Sequence, residues 1–439
     1  MKSKIVILAL LFSAGVFAQK TSSGNFTGGV GLNFIDGNAF YSFRLAPDLS
    51  IGKFGVGLDL RLDLDSTGSI RKENFNETSD FLSIIRYIRY GQKKDPVYVS
   101  AGTLDNYSLG HGTIVNQYNN SPSLDKRSLG LALDLDFEKF GFESMYSDFS
   151  QGGVLGVRGY VRPLQYTTLA KVPLIGKLEV GASFASDFNK YAGVLSGYVD
   201  PVTNEFVALN DQKATQIYGI DLGLPVVRTS IFNIDLYADY AKIMDFGDGA
   251  STGALFTFNG LGMLSANVRL ERRWMNDKYL PAYFNSLYEI ERFKVVGGGV
   301  VSKIKQLSAV TSTDRGIYGS LAVAAANLLS VSGSYQRTDF DPKSGQLHIR
   351  AEVTNEQLPF TVRAGYDKVN IENEGALFTL DDRSYMYSEV GYKPYPYLLV
   401  SMVYHWTFEP VRDGSDNILS YKSQKRIEPR VSFLMPLNF

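Results

Sequence analysis

The chain of 439 residues holds only three histidines, His111, His348 and His405. His111 sits between two glycines in "SLGHGTIVNQYNN", residues 108–120, and Asn116, Gln117, Asn119 and Asn120 follow it closely. An imidazole near a hydroxyl (Ser108) and several amides could serve hydrolysis, bind a metal, or satisfy a folded loop. Hydrolysis needs a framed nucleophile, and no G-x-S-x-G elbow is present. The histidines are far apart and form no i, i+4 pair of a helical zinc site. Thiol catalysis is excluded, because the chain has no cysteine. Two acidic stretches, "DFGDGAS" (245–251) and "RDGSDN" (412–417), lack calcium-loop spacing and read as solvated turns. No catalytic, metal or cofactor site is therefore expected.

The elements that must position these residues are strands. In "GVGLDLRLDLD", Val56, Leu58, Leu60, Leu62 and Leu64 alternate with Gly57, Asp59, Arg61, Asp63 and Asp65. Successive strand side chains point to opposite faces, so one face is apolar and the other charged. The same alternation sets Leu131, Leu133 and Leu135 against Asp134 and Asp136. It recurs around Asp221, around Asp235 and Asp239, and around His348, Arg350 and Glu352. The composition agrees, with 42 Gly, 27 Tyr and 28 Phe. Short connections such as 36–38, 93–96 and 138–141 alternate with long polar ones at 66–79, 104–126, 187–213, 275–292, 370–382 and 409–426. One segment breaks the pattern: in residues 275–292, Tyr279, Tyr283, Leu287 and Ile290 recur at helical spacing, so a short amphipathic helix and an aromatic strand are both open.

Two further features bear on the compartment. The N-terminus, "MKSKIVILALLFSAGVFAQK", has Lys2 and Lys4, an apolar run from Ile5 to Phe17, and small residues before a cleavage point after Ala18. That is the layout of a secretory signal peptide, too short for a spanning helix. Residues 1–18 are expected to be removed, leaving 19–439 as a single domain. Without Lys2 and Lys4, 42 basic residues face 45 acidic ones, which gives no nucleic-acid signature. At the other end, "RVSFLMPLNF" places Val431, Phe433, Met435, Leu437 and Phe439 on one face and ends on an aromatic.

This terminus resembles the last strand of Gram-negative outer-membrane β-barrels, the porin-like proteins among them. The resemblance covers the whole mature chain in architecture and the last residues as a motif, with Pro436 as a departure on the opposite face. It implies an all-β, transmembrane, antiparallel up-and-down barrel with short periplasmic turns and long extracellular loops. About 18 strands are expected, with 16 to 20 admissible. It also implies outer-membrane lipid and lipopolysaccharide as surroundings. Phe433, Met435, Leu437 and Phe439 would be the signal read by the barrel-assembly machinery. A soluble sandwich would bury the same apolar rows between two sheets. In lipid a spanning sheet must close, because every backbone polar group has to pair internally.

In such a barrel the polar rows face the lumen. Asp59, Arg61, Asp63, Asp65, Asp134, Asp136, Asp221, Asp235, Asp239, Arg350, Glu352 and Arg363 are the expected lining. Opposed charges would order water and favour passive diffusion of small hydrophilic solutes, with a mild cation preference if the acids prevail. The alternatives are a non-conducting barrel that displays its loops as an adhesin, receptor or assembly partner, and an outer-membrane hydrolase. Residues 108–120 become a candidate constriction loop built from His111, Asn116, Gln117, Asn119 and Asn120. Tyr87, Tyr90, Tyr240, Trp274 and Trp406 suit interfacial girdles.

Overall fold

The structure, a computed structural model, describes residues 22–438 except 76–77, 94, 173, 212–214, 261–262, 326–327 and 354–357. The expected signal peptide and Phe439 lie outside the described residues. Antiparallel pairing runs from Ser22–Ile35 around to Ile418–Asn438, and these two strands pair with each other (Val30 opposite Val431, Gly24 opposite Leu437). The sheet is therefore closed. It has 21 members, of which Phe54–Leu58 and Leu60–Leu64 are halves of one wall strand, so twenty strands form the wall. The break falls at Asp59, whose N–H turns to the Ile84 carbonyl at 2.8 Å.

The faces are inverted relative to a soluble fold. Along Phe232–Ile243, Leu236 and Tyr240 stand exposed, while Tyr237, Asp239 and Ala241 are buried. Outward rows of Leu, Val and Phe are acceptable only against lipid, and the buried charges are acceptable only because they are paired. Phe433 and Met435 point outward and exposed, and pairing continues past Pro436, which lies opposite Asn25.

Wall strands from Ile85–Tyr90 to Glu179–Asp187 have six to nine residues, whereas the remainder, counting the broken strand by its halves' full span, are longer on average and reach 21 in Ile418–Asn438. Turns at the end that carries both termini span six residues or fewer, such as 52–53, 91–96 and 396–397, with one exception at 162–178. The long connections lie at the other end, together with short ones at 36–37 and 413–417.

Several expected elements differ. Residues 254–274, which read in sequence as a single strand because β-formers run through them, fall on two, Asp248–Gly260 and Leu264–Met275. Residues 409–426 are mostly strand, with a turn only at 413–417. Residues 293–304 read in sequence as one more wall strand, but they make a small separate hairpin, Phe293–Val296 with Gly299–Ser302, followed by the helix Lys303–Ala309. Tyr87 points inward and donates to Asp48 at 2.7 Å rather than joining a girdle.

Candidate functional site

The lumen is occupied by two connections that fold inward. The first, residues 103–129, follows Val97–Gly102. It is compact because the chain reverses repeatedly: Gly110, Gly112, Asn106 and Gln117 all adopt positive φ. At Gly110 a Cβ would lie 2.8 Å from the Arg158 side chain, so glycine also allows close approach. Asn120 fastens the loop, accepting from the Leu104 amide at 2.9 Å and donating to the Ser147 carbonyl at 2.9 Å.

The second connection, residues 276–313, lies against the first. Ala282 and Phe284 amides donate to the carbonyls of Thr113 and Ile114, and the Asn116 amide donates to the Phe284 carbonyl at 3.0 Å. Only Tyr288–Glu291 forms an α-turn, so the helix considered for 275–292 is largely absent. The helical spacing instead marks residues that are all buried: Tyr279, Tyr283, Phe284, Leu287 and Ile290. Lys278 and Ala282 at positive φ break any helix there.

Together the loops build a dry core inside the barrel. Val115, Tyr118, Tyr283 and Phe284 pack against wall residues Met145, Val154, Ile217 and Ile243. A charged layer borders it: Arg292 pairs with Asp187 and with Glu289 (2.6 Å), Tyr118 donates to Glu289, and Lys303 meets Glu291 at 2.5 Å. Burial raises the Glu289 carboxyl above the usual carboxylate range, with Arg292 opposing the shift.

His111 is the latch between loop and wall. Its Nδ1 lies 2.9 Å from Asp239, and its ring stacks on Tyr237 at 4.3 Å. Asp239 also accepts from Thr113 (3.0 Å) and Ser251 (3.2 Å). Donor atoms of His111, Asp221 and Asp239 lie within 4.8 Å of one another, a set with metal-ligand composition. Both carboxylates are already engaged, however: Arg158 grips the two Asp221 oxygens at 2.6 and 2.9 Å, and Asp239 accepts from Thr113 and Ser251. Ser108 bonds to Asn116 (3.3 Å) and to the Gln117 amide (2.9 Å), and neither bond aligns it with His111. Asn119 accepts from the Ser121 amide at 2.9 Å.

The opposite wall is joined differently. Ser334 donates to the Gln117 side chain at 2.8 Å, and within the wall itself Arg273 donates to Gln336 at 2.6 Å. Alongside, His348 lies 2.6 Å from Asp367, which also accepts from Arg350 at 2.7 Å. Toward the terminal end this seam widens into a cavity of about 330 Å³ lined by Asp105, Asn106, Asn267, Ser332, Arg350 and Glu352.

The remaining expected lining residues fall as follows. Asp59 pairs with Arg44 (2.6 Å) and Arg127 (2.8 Å), and Arg61 stands opposite Arg44 in register. Asp63 accepts from Asn33 at 3.1 Å, and Asp134 from Tyr107 at 3.1 Å. Asp136 meets Arg162 at 2.8 Å. Asp235 with Arg228, and Glu352 with Arg363 (2.9 Å), lie at the rim near the terminal end. Asp65 leaves the wall: it caps the turn 65–69 through Thr67 and Ser69. Arginines absent from the expected lining take part as well: Arg44 and Arg158 neutralise Asp59 and Asp221, while Arg273, Arg426 and Arg430 pair with Glu271, Asp125 and Glu389. They lie on the same alternating rows, and the assignment of 409–426 to a loop hid Arg426. With them the lumen carries closely paired charges of both signs.

No protein-family model matches the chain, and no curated protein matches it. Among solved structures it is similar to OccK11 (OpdR) of Pseudomonas aeruginosa, with 11% identity, TM-score 0.32, and 95% of this chain and 96% of that one covered. It is similar to Wzi of Escherichia coli, described as an outer-membrane carbohydrate-binding β-barrel in capsule assembly, with 12% identity, TM-score 0.37, and 95% and 85% covered. It is similar to OmpT of Vibrio cholerae, an outer-membrane protein, with 9% identity, TM-score 0.33, and 94% and 99% covered. These scores are too low to carry an argument about function, so the barrel assignment rests on this chain's own strand pairing and inverted faces.

Proposed function

We propose that the protein is an outer-membrane channel for small hydrophilic solutes, narrowed at rest by its two inward loops. The supporting observation is the asymmetry of their attachment. On one side they meet the wall through a dry aromatic and aliphatic core. Along Leu329–Thr338 residues 103–129 meet the wall through a polar contact, Gln117 with Ser334 at 2.8 Å, and only further round, at Leu398–Arg412 and Ile418–Asn438, are the loops tied down again, by Leu287 and Ile290 against Phe408 and by Asp125 against Arg426. Parting a polar seam costs less than opening an apolar core, because water replaces the lost hydrogen bonds. A solute path therefore runs along the seam, from the extracellular loops to the 330 Å³ cavity at the periplasmic end. Serine, asparagine and paired charges along it suit neutral or zwitterionic polar solutes. The dry core favours a second reading, a permanently closed barrel that displays its loops. Planar-bilayer recording on the purified full chain tests the choice: discrete current steps support the channel, and absence of current at every voltage supports the closed barrel.

A further inference from the structure

Residues 162–178 depart from the rest of the terminal end. Every other turn there spans six residues or fewer, and this one has 17, wound through three short turns at Pro163–Tyr166, Thr168–Lys171 and Ile175–Lys177. A loop of this length would ordinarily be polar. This one exposes Tyr166, Leu169, Val172, Leu174 and Ile175, with Leu174 55% accessible. Its sequence contains no Asp or Glu between Pro163 and Lys177, and it carries Lys171 and Lys177, both exposed and without an ion-pair partner among the described residues. Lys139, on the adjacent turn, sits over the Tyr166 ring at 5.2 Å.

The segment is also held in place. Arg162 pairs with Asp136 (2.8 Å) and Glu179 (2.9 Å) at its start, and Gln165 donates to the Gly176 carbonyl at 2.5 Å across it. Its last turn packs beside Gln216–Arg228. The apolar residues continue the outward row of the neighbouring strands, Phe137, Phe140, Val161 and Val180, all exposed. Apolar and aromatic side chains, unpaired lysines and continuity with the lipid-facing wall have one common partner, a bilayer interface with anionic headgroups.

We propose that residues 162–178 form a periplasmic-side membrane anchor, with Leu169, Leu174 and Ile175 inserted among acyl chains and Lys171 and Lys177 on the phosphates of anionic phospholipids. The proposal rests on the chain spanning a membrane and not on conduction, so loss of the channel reading leaves it standing. Its consequence is a fixed depth and rotation of the barrel relative to the inner leaflet.

The absence of cysteine permits a direct test. Leu169→Cys, Leu174→Cys, Val202→Cys and Ile220→Cys each give one spin-label site on the full chain. Val202 is a water reference, being 90% accessible in an outer loop, and Ile220 is a wall reference. The proteins are reconstituted into vesicles of phosphatidylcholine alone or mixed with phosphatidylglycerol. The oxygen-to-nickel-chelate collision ratio at 169 and 174 should match that at 220 and exceed that at 202 several-fold. Lys171→Glu with Lys177→Glu should lower it in the mixed vesicles and leave it unchanged in phosphatidylcholine. Ratios at 169 and 174 equal to that at 202 overturn the anchor and leave the face free for a periplasmic protein. A charge reversal without effect in mixed vesicles overturns the headgroup contact.

Discussion

Ser334→Ala is the most informative single change, because it isolates the seam without disturbing the dry core. Ser334 is buried on the wall, and its hydroxyl makes one neutral hydrogen bond, 2.8 Å, to Gln117. Gln117 is only half-buried, and its amide N–H is held by Ser108, so its freed side-chain oxygen can take water. The net loss is about 0.5–1.5 kcal/mol. If parting of the seam opens the path, that loss raises the ratio of open to closed states about twofold to tenfold, at about 1.4 kcal/mol per decade. Single-channel recordings report this as open probability, with unit conductance unchanged. The contrasting substitution, Phe284→Ala, empties a fully buried position in the loop core. Large-to-small changes of this kind cost about 3–5 kcal/mol, a shift of two to more than three decades, and would displace the loops as a body. An open probability untouched by Ser334→Ala, in a protein that does conduct, refutes the seam. No current with either substitution means that the lumen stays closed.

Other outcomes follow from the same contacts. His111→Ala should leave the buried Asp239 carboxylate with only the Thr113 and Ser251 hydroxyls, costing about 1–3 kcal/mol; amide exchange across 108–118 should quicken while the wall strands stay protected. Deleting residues 108–120 should raise conductance if they narrow the path, and an unchanged current would remove them from it. Burial opposes ionisation of Asp413, yet amides of Asn417, Phe206 and Ser415 hold its carboxyl below the usual range. A carboxyl depressed in the folded state stabilises above its ordinary range and loses that contribution as pH falls through the depressed value. The hairpin Val194–Val199 with Phe206–Asp211 should therefore become more open to proteolysis in acid, and Asp413→Asn should open it at neutral pH; a hairpin equally resistant in both conditions would contradict this.

The wall was legible because a two-residue period leaves its mark on every strand. Asp221, Asp235 and Asp239 could be placed on an inward row from alternation alone. What the period cannot reveal is where an uninterrupted run of β-formers turns, which is why Asp248–Gly260 and Leu264–Met275 merged into one. Inward loops are harder still. Residues 276–292 fold by aromatic contacts with residues far along the chain, so their spacing mimics a helix without forming one. His111 drew notice for its neighbours in sequence, Ser108 and the amides. Its partners in space, Asp239 and Tyr237, are more than a hundred residues away. Alternation marks the row on which both of them stand, facing inward.

The uneven wall has a bearing on the bilayer itself. Ile85–Tyr90 and Val97–Gly102 have six residues each. At about 3.3 Å per residue and a tilt of about 40°, such strands rise roughly 15 Å, against an apolar band of about 25 Å in barrels of this kind. The long strands on the other side meet that band in full. One flank of the cylinder is thus in hydrophobic mismatch, and lipid beside it must compress or the barrel must lean toward it. The protein then distorts the membrane in a single direction, giving it a defined front in the plane of the bilayer.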